Sequence, residues 1–144
     1  MTTLQANLRV QTRRVLYTLV LVTVLAPLIV SAVTQAVTRG AEPVAVRCCT
    51  AVKMGSWQDF VSLFQPQARQ NAEVSWRILS ALRNTLGDVT ACTTEVAGFK
   101  FSGGEKEVTV DMNMQMAKGT VKVKTTMVRV GQQYMIKRLE MCYP

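Results

Sequence analysis

A run of uncharged, mostly apolar residues near the N-terminus constrains this chain more than any other feature of its sequence. Nineteen consecutive residues from Val15 to Val33 carry no charge, and the run reaches Val37 if two polar residues are tolerated. A helix rises about 1.5 Å per residue, so a run of this length crosses a hydrocarbon layer of about 30 Å. We therefore predict one transmembrane helix over residues 13–38.

Two other interpretations of this segment are weaker. Val30-Ser31-Ala32 offers small residues where a signal peptidase would cut, but the uncharged run is longer than the roughly 7–15 residues of a signal core. A buried helix of a water-soluble protein is disfavoured because 144 residues leave too little mass to wrap a helix that is apolar all round. The residues that define the predicted anchor, with a proline in mid-span, are Arg13, Arg14, Val15, Pro27, Val33 and Val37.

Basic residues are unevenly distributed about the span. Arg9, Arg13 and Arg14 precede it, whereas Arg39 is followed closely by Glu42. The positive-inside tendency then places the N-terminus in the cytoplasm and the C-terminal part outside the inner (plasma) membrane. We predict a cytoplasmic tail over 1–12, the span over 13–38, a linker over 39–43 and an extracytoplasmic domain over 44–144.

The net charge of +8 does not indicate nucleic-acid binding. Four of the 17 basic residues flank the span, which leaves 13 against nine acidic residues, a net charge of +4, in the rest of the chain. No basic stripe interleaved with aromatic residues, as single-strand binders use, is visible in it. We expect the partners to be the lipid bilayer and other envelope proteins, with no nucleic acid.

The cysteines all fall in the part predicted to be exported. They are Cys48, Cys49, Cys92 and Cys142. In an oxidising compartment an even number predicts disulfides, and because adjacent cysteines are badly placed to bond each other, Cys48 or Cys49 would pair with Cys92 or Cys142. A metal site is disfavoured since the chain has no histidine and no CxxC, while four buried thiols are the plainest alternative. We expect at least one bridge between helix and sheet, no metal and no cofactor.

Periodicity predicts an α+β fold after the span. Apolar residues recur at helical spacing over 44–54, 57–64 and 67–86, and then alternate at spacing two over 89–101, 108–116, 121–130 and 133–143. Glycine-containing turns separate the last four segments. The pattern predicts three helices packed on one face of a four-stranded antiparallel meander.

Large apolar side chains on the helices and the second strand form either a packed core or a pocket for a small apolar ligand. They are Trp57, Phe60, Trp76, Met112 and Met114. The methionine row is explained by strand alternation, so a core is favoured over a thioether copper site. The sequence does not separate core from pocket.

The order of elements resembles a known superfamily. Trp57 opens a short helix, AEVSWRILSALRNTLGDV ends a long helix at a glycine, and four alternating strands follow. This arrangement is similar to the nuclear transport factor two-like, cystatin-like α+β fold, over Val44 to Tyr143. With one span and a short tail, it also resembles the inner-membrane assembly components of type IV secretion and conjugation systems. The resemblance implies a cone-like fold and an assembly role.

No catalytic arrangement is visible, because histidine is absent and Asp111 lies on the polar side of its strand. We therefore predict a non-enzymatic protein whose extracytoplasmic domain makes protein contacts, as a homo-oligomer or within a secretion, conjugation or pilus-type assembly. The predicted interaction face is Thr109, Asn113, Lys122 and Lys124. Alternatives are binding of a small apolar ligand or lipid, and contact of basic strand residues with anionic polymers or headgroups.

Overall fold

The structure is a computed structural model that describes the backbone of residues 2–142. It describes the side chains of residues 11–142, apart from positions 33, 34, 36 and 37. The chain divides into two compact units, Met1–Val37 and Thr38–Pro144, and each is described by itself. We call the second the C-terminal unit.

The first unit is a single helix. Helix α1 runs through Thr2–Thr38 with Pro27 inside it. Its window Gln11–Ala32 is long and apolar enough to cross a membrane, a property that a signal sequence shares. The described apolar side chains of this window are exposed, for example Leu28 at 61%. Arg13 and Arg14 lie near the start of the window, whereas the side chains of two predicted anchor residues, Val33 and Val37, lie outside the described ones.

The junction after α1 is shorter than expected. Only Arg39 and Gly40 form a turn, and helix α2 begins directly after them, over Ala41–Met54. The predicted linker over 39–43 is wrong in its last three residues, because proline is accepted in the first turn of a helix and Pro43 therefore does not delay it. Gly40 takes the positive φ of 97° that the turn requires.

Two further α-helices follow α2, with a 3-10 turn between them. Helix α3 spans Trp57–Ser62, the 3-10 turn Pro66–Ala68, and helix α4 Arg69–Leu86. The Ser56 hydroxyl accepts a hydrogen bond from the Asp59 amide at 3.3 Å, which caps α3 as its sequence predicts. Helix α3 was expected to reach residue 64, but it ends earlier because Phe64 pairs with Ile136 in a parallel bridge.

The sheet is an antiparallel meander in the order β1-β2-β3-β4, and it confirms the predicted α+β fold. Its strands are β1 Val89–Ser102, β2 Glu105–Met116, β3 Gly119–Val130 and β4 Gln133–Cys142. The register shifts between Val96 and Gly98 on β1, and between Thr126 and Met127 where β3 meets β4. Such irregularities bend a sheet and re-aim side chains.

The helices cover one face of the sheet. Helix α2 packs on β1 and β2, and α4 packs on β4. Met112 and Met114 are fully buried on this helix face, as are Phe60 and Leu79 from the helices above them. We call the opposite side the open face, since the described helices leave it uncovered.

Candidate functional site

The predicted interaction residues lie together on the open face. Strand alternation puts Met112 and Met114 on the helix face and their neighbours on the other side. Asn113 is opposite Lys122, and Asp111 is opposite Lys124. Asn113 and both lysines are exposed and Thr109 is partly exposed. The structure thus brings all four predicted residues onto two adjacent central strands.

Asp111 lies in the middle of this surface. Its neighbours across the sheet are Glu95 on β1 and Lys124 on β3. Its Oδ1 atom is screened from solvent and accepts no hydrogen bond from the described residues. A carboxylate oxygen is a strong acceptor, so this atom leaves hydrogen-bonding capacity unused among the described residues.

A cluster of charged residues at one end of the open face was not predicted from the sequence. The carboxylate of Glu107 receives a hydrogen bond from Lys137 Nζ at 2.8 Å and lies 3.2 Å from Lys100 Nζ. The Glu107 side chain is only 7% exposed. Its pKa is held below the ordinary value mainly by the hydrogen bond from Lys137, helped by Lys100, against the opposing effect of burial. The cluster thus links β1, β2 and β4 at this end of the sheet.

Sequence periodicity could not find this cluster because Lys137 lies 30 residues from Glu107 along the chain. Lys137 reaches Glu107 across β3, where Val128 is opposite both Glu107 and Met135. Val128 lies on the open face and is only 2% exposed. The arrangement depends on the register shift between β3 and β4, which no residue pattern announces.

The residues that the sequence assigned to either a core or a pocket divide into two groups. Phe60, Met112 and Met114 are 0% exposed and belong to the hydrophobic core. Trp57 and Trp76 are partly buried at its margin, with ring centroids 5.7 Å apart. Phe60 contacts Trp76 at 5.0 Å. These contacts are those of a packed aromatic core.

Several open clefts border the helices of the C-terminal unit. One of them, with a volume of about 520 Å³, lies between the start of α2, the end of α3 and the turn before β4. Gly40, Arg47 and Tyr134 are among its lining residues. None of Phe60, Met112 and Met114 lines a described cleft.

One disulfide joins the helices to the sheet. Cys49 on α2 is bonded to Cys92 on β1, with a Cα–Cα distance of 6.5 Å. The prediction of a bridge between helix and sheet is therefore confirmed. Cys48 is a buried free thiol and Cys142 an exposed one. Burial raises the pKa of the Cys48 thiol to about 12, so this cysteine is unreactive at neutral pH.

The described residues offer little for metal chemistry. Within residues 11–142, no three His, Cys, Asp or Glu side chains that the structure describes are grouped closely enough to hold a metal ion. Two residues of β4 could in principle act as an acid and a base. Tyr134 lies on the helix face, where it is 8% exposed, whereas Glu140 is exposed and pairs with Arg138 at 3.4 Å. These positions do not bring an acid and a base together.

Comparison with known proteins identifies the fold. No family model and no curated protein matches the chain. A protein of unknown function with a cystatin-like fold from Nostoc punctiforme matches with a TM-score of 0.52 at 9% identity, covering 71% of this chain and 86% of its own. A nuclear transport factor two-like protein of unknown function from Shewanella baltica gives a TM-score of 0.49 at 9% identity, covering 73% and 93%. The C-terminal unit therefore has a cystatin-like α+β fold, which agrees with the fold that the sequence resemblance implies.

Proposed function

We propose that this chain is a single-pass inner-membrane protein whose C-terminal unit lies outside the cytoplasm and makes protein contacts. Its setting would be a cell-envelope assembly, such as a secretion, conjugation or pilus-type machine. The observation that carries this proposal is an apolar helix, Gln11–Ala32, followed in the chain by a disulfide-bonded α+β unit. An exported location supplies the oxidising conditions in which the Cys49–Cys92 bond persists.

The direction of insertion follows from charge and disulfide together. Arg13 and Arg14 stand at the N-terminal end of the apolar window, which favours a cytoplasmic N-terminus. The disulfide favours the opposite side of the membrane for the C-terminal unit. Both observations support the same orientation.

The open face is the surface that we propose for protein contact. Its central residues Thr109 and Asn113 are short and polar, so a partner can approach the sheet closely. Lys122 and Lys124 give its rim a positive charge, which favours a partner with complementary carboxylates.

The apolar-ligand alternative has less support. Three of the five residues proposed for such a pocket, Phe60, Met112 and Met114, are fully buried in the core. A filled core favours a protein whose work is done on its surface. The proposed role is therefore non-enzymatic.

Site-specific photocrosslinking in native membranes tests the contact surface. A benzophenone amino acid in place of Asn113 should give a covalent adduct, and the same amino acid in place of Gln70, exposed on α4, should not. The mass of the adduct distinguishes a second copy of this chain from another envelope protein. A second variant carries the same amino acid in place of Lys122, and absence of an adduct from both this variant and the Asn113 variant would overturn the proposed surface.

A further inference from the structure

Two exposed phenylalanines lie near the tip of the β1–β2 hairpin. Phe99 is 44% exposed and Phe101 is 73% exposed. Their rings meet edge to face with centroids 6.5 Å apart. They are two positions apart on β1, so they share one face of the strand. Adjoining aromatic rings in water mark an interaction site more often than single exposed apolar residues do.

Basic residues share that face. Phe101 is opposite Lys106, and Phe99 is opposite Val108. Val108 is in turn opposite Met127 on β3, so alternation puts Arg129 on the same side. Lys106 is partly exposed and Arg129 exposed. We call Phe99, Phe101, Lys106 and Arg129 the tip patch.

The charges of the tip patch are uncompensated by the carboxylates nearest in sequence. Glu105 and Glu107 are both paired with Lys137, and Glu107 also with Lys100. Neither Lys106 nor Arg129 forms an ion pair with another described residue. The patch is therefore both apolar and positively charged, which complements an anionic lipid surface.

The C-terminal unit begins at the end of the sheet that carries the tip patch. In a meander the β1–β2 turn and the β3–β4 turn lie at the same end of the sheet. A Cβ atom on Gly40 would lie 3.5 Å from Cδ2 of Tyr134, and Tyr134 is opposite Arg129. The chain thus enters this unit beside Arg129, one residue of the patch. From β4 to β1 there are three strand spacings of about 4.8 Å, so this point lies roughly 15 Å from the phenylalanines.

If α1 spans the bilayer as proposed, the length of chain after its apolar window limits how far the start of the C-terminal unit can lie from the headgroups. Helix α1 continues from Ala32, where the window ends, to Thr38. Six residues of helix span about 9 Å, similar to the roughly 5–8 Å of headgroup region on each side of a bilayer.

We propose that the tip patch docks onto the anionic phospholipid headgroups of the same bilayer that holds α1. The inference rests on the proposed anchoring. The two phenylalanine rings enter the interface, where apolar groups leave water, and Lys106 and Arg129 bind lipid phosphates. Docking through the helix-face side of the hairpin leaves the open face free for protein contacts.

Fluorine NMR of the full chain in lipid nanodiscs tests this docking. The chain has four phenylalanines, so labelling with 3-fluorophenylalanine gives four resonances, assigned by substituting each residue with leucine. Phe60 and Phe64 are 0% and 3% exposed and serve as internal references. With nitroxide-labelled lipid in phosphatidylcholine–phosphatidylglycerol nanodiscs, the resonances of Phe99 and Phe101 should lose most of their intensity while those of Phe60 and Phe64 keep theirs.

Charge-removing variants separate docking from anchoring. Each basic residue near an anionic surface favours binding about fivefold, so K106Q/R129Q should reduce the equilibrium constant for docking roughly thirtyfold. The matched variant K53Q/K118Q, which loses the same charge at two exposed positions outside both proposed surfaces, should behave as the unaltered chain. Incorporation into nanodiscs without loss of the Phe99 and Phe101 signals would overturn the docking and leave the anchor intact.

Two other outcomes would also overturn the inference. Equal loss of signal in K106Q/R129Q and the unaltered chain would exclude recognition of anionic headgroups. Protection of Phe99 and Phe101 from a water-soluble relaxation agent, without broadening by spin-labelled lipid, would assign the patch to a second copy of the chain. Failure of the chain to enter nanodiscs would overturn the anchor and the docking together.

Discussion

The carboxylate of Glu107 has little access to water, but its ionised form remains favourable because two lysines lie beside it. Its folded-state pKa lies below the ordinary value of 4.5, so its ionised form stabilises the fold at neutral pH. This contribution is present above the unfolded pKa and disappears as the pH falls through the folded one. We expect Glu107→Gln to lower the melting temperature at pH 7, and the difference from the unaltered chain to shrink below pH 4.5.

The neighbouring acid provides the control for that experiment. Glu105 also pairs with Lys137, at 3.4 Å, but its side chain is 55% exposed. Solvent screens such a pair, so Glu105→Gln should change the melting curve far less at every pH. Circular dichroism between pH 3 and 8 measures both variants, at roughly the pH span over which carboxylates titrate. An equal effect of the two substitutions would contradict the importance of burial at Glu107.

Gly87 is a backbone position at which a side chain is expected to fail. It joins α4 to β1 with a positive φ of 87°, and an added Cβ would lie 2.8 Å from Cβ of Ala117. We expect Gly87→Ala to destabilise the fold by about 1–3 kcal/mol, from both strain and contact. Gly98→Ala is the matched control, because nothing lies within 4 Å of its added Cβ and its φ is not positive. Urea unfolding of both variants tests the difference, and similar midpoints would contradict it.

The Cys49–Cys92 disulfide is the covalent link between the helices and the sheet. It joins residues 43 positions apart, and a loop of that length is expected to stabilise by about 2–4 kcal/mol. We predict this loss in C49S/C92S, measured by denaturant unfolding in detergent. Cys142→Ser should be neutral because Cys142 is exposed and unbonded. Under reducing conditions the unaltered chain also lacks the bond, so its stability should equal that of C49S/C92S. If C49S/C92S were still less stable there, the substitutions would have altered the packing and not only the bond.

The elements themselves follow closely from local patterns. Strands β2 and β3 alternate apolar and polar residues almost without interruption, so their type and faces are predictable from spacing. Which of Cys48 and Cys49 forms the disulfide could not be predicted, because both are buried on α2. The position of Cys92 on β1 determines that Cys49 is the bonded one. The tip patch was also missed, because the register shift between Val96 and Gly98 interrupts the alternation of β1.

The position of the whole molecule depends on whether lipid surrounds α1. Leu21 and Leu25 lie within the apolar window and are 60% and 43% exposed. A lysine near the centre of a span costs about 3 kcal/mol to insert, so L21K/L25K should lose about 6 kcal/mol of membrane insertion. We predict that the unaltered chain resists carbonate extraction, whereas L21K/L25K does not remain in the membrane.

A pair of equally exposed apolar residues in the C-terminal unit distinguishes this effect from general damage. Val46 and Val74 are 48% and 50% exposed, and lysines there meet water, so V46K/V74K should remain in the membrane fraction. Intact-mass measurement of the extracted protein decides between a retained anchor and a cleaved signal sequence. A mass lacking the residues before Val33 would show that the helix only directs export, because the C-terminal unit would then have lost its attachment to the bilayer.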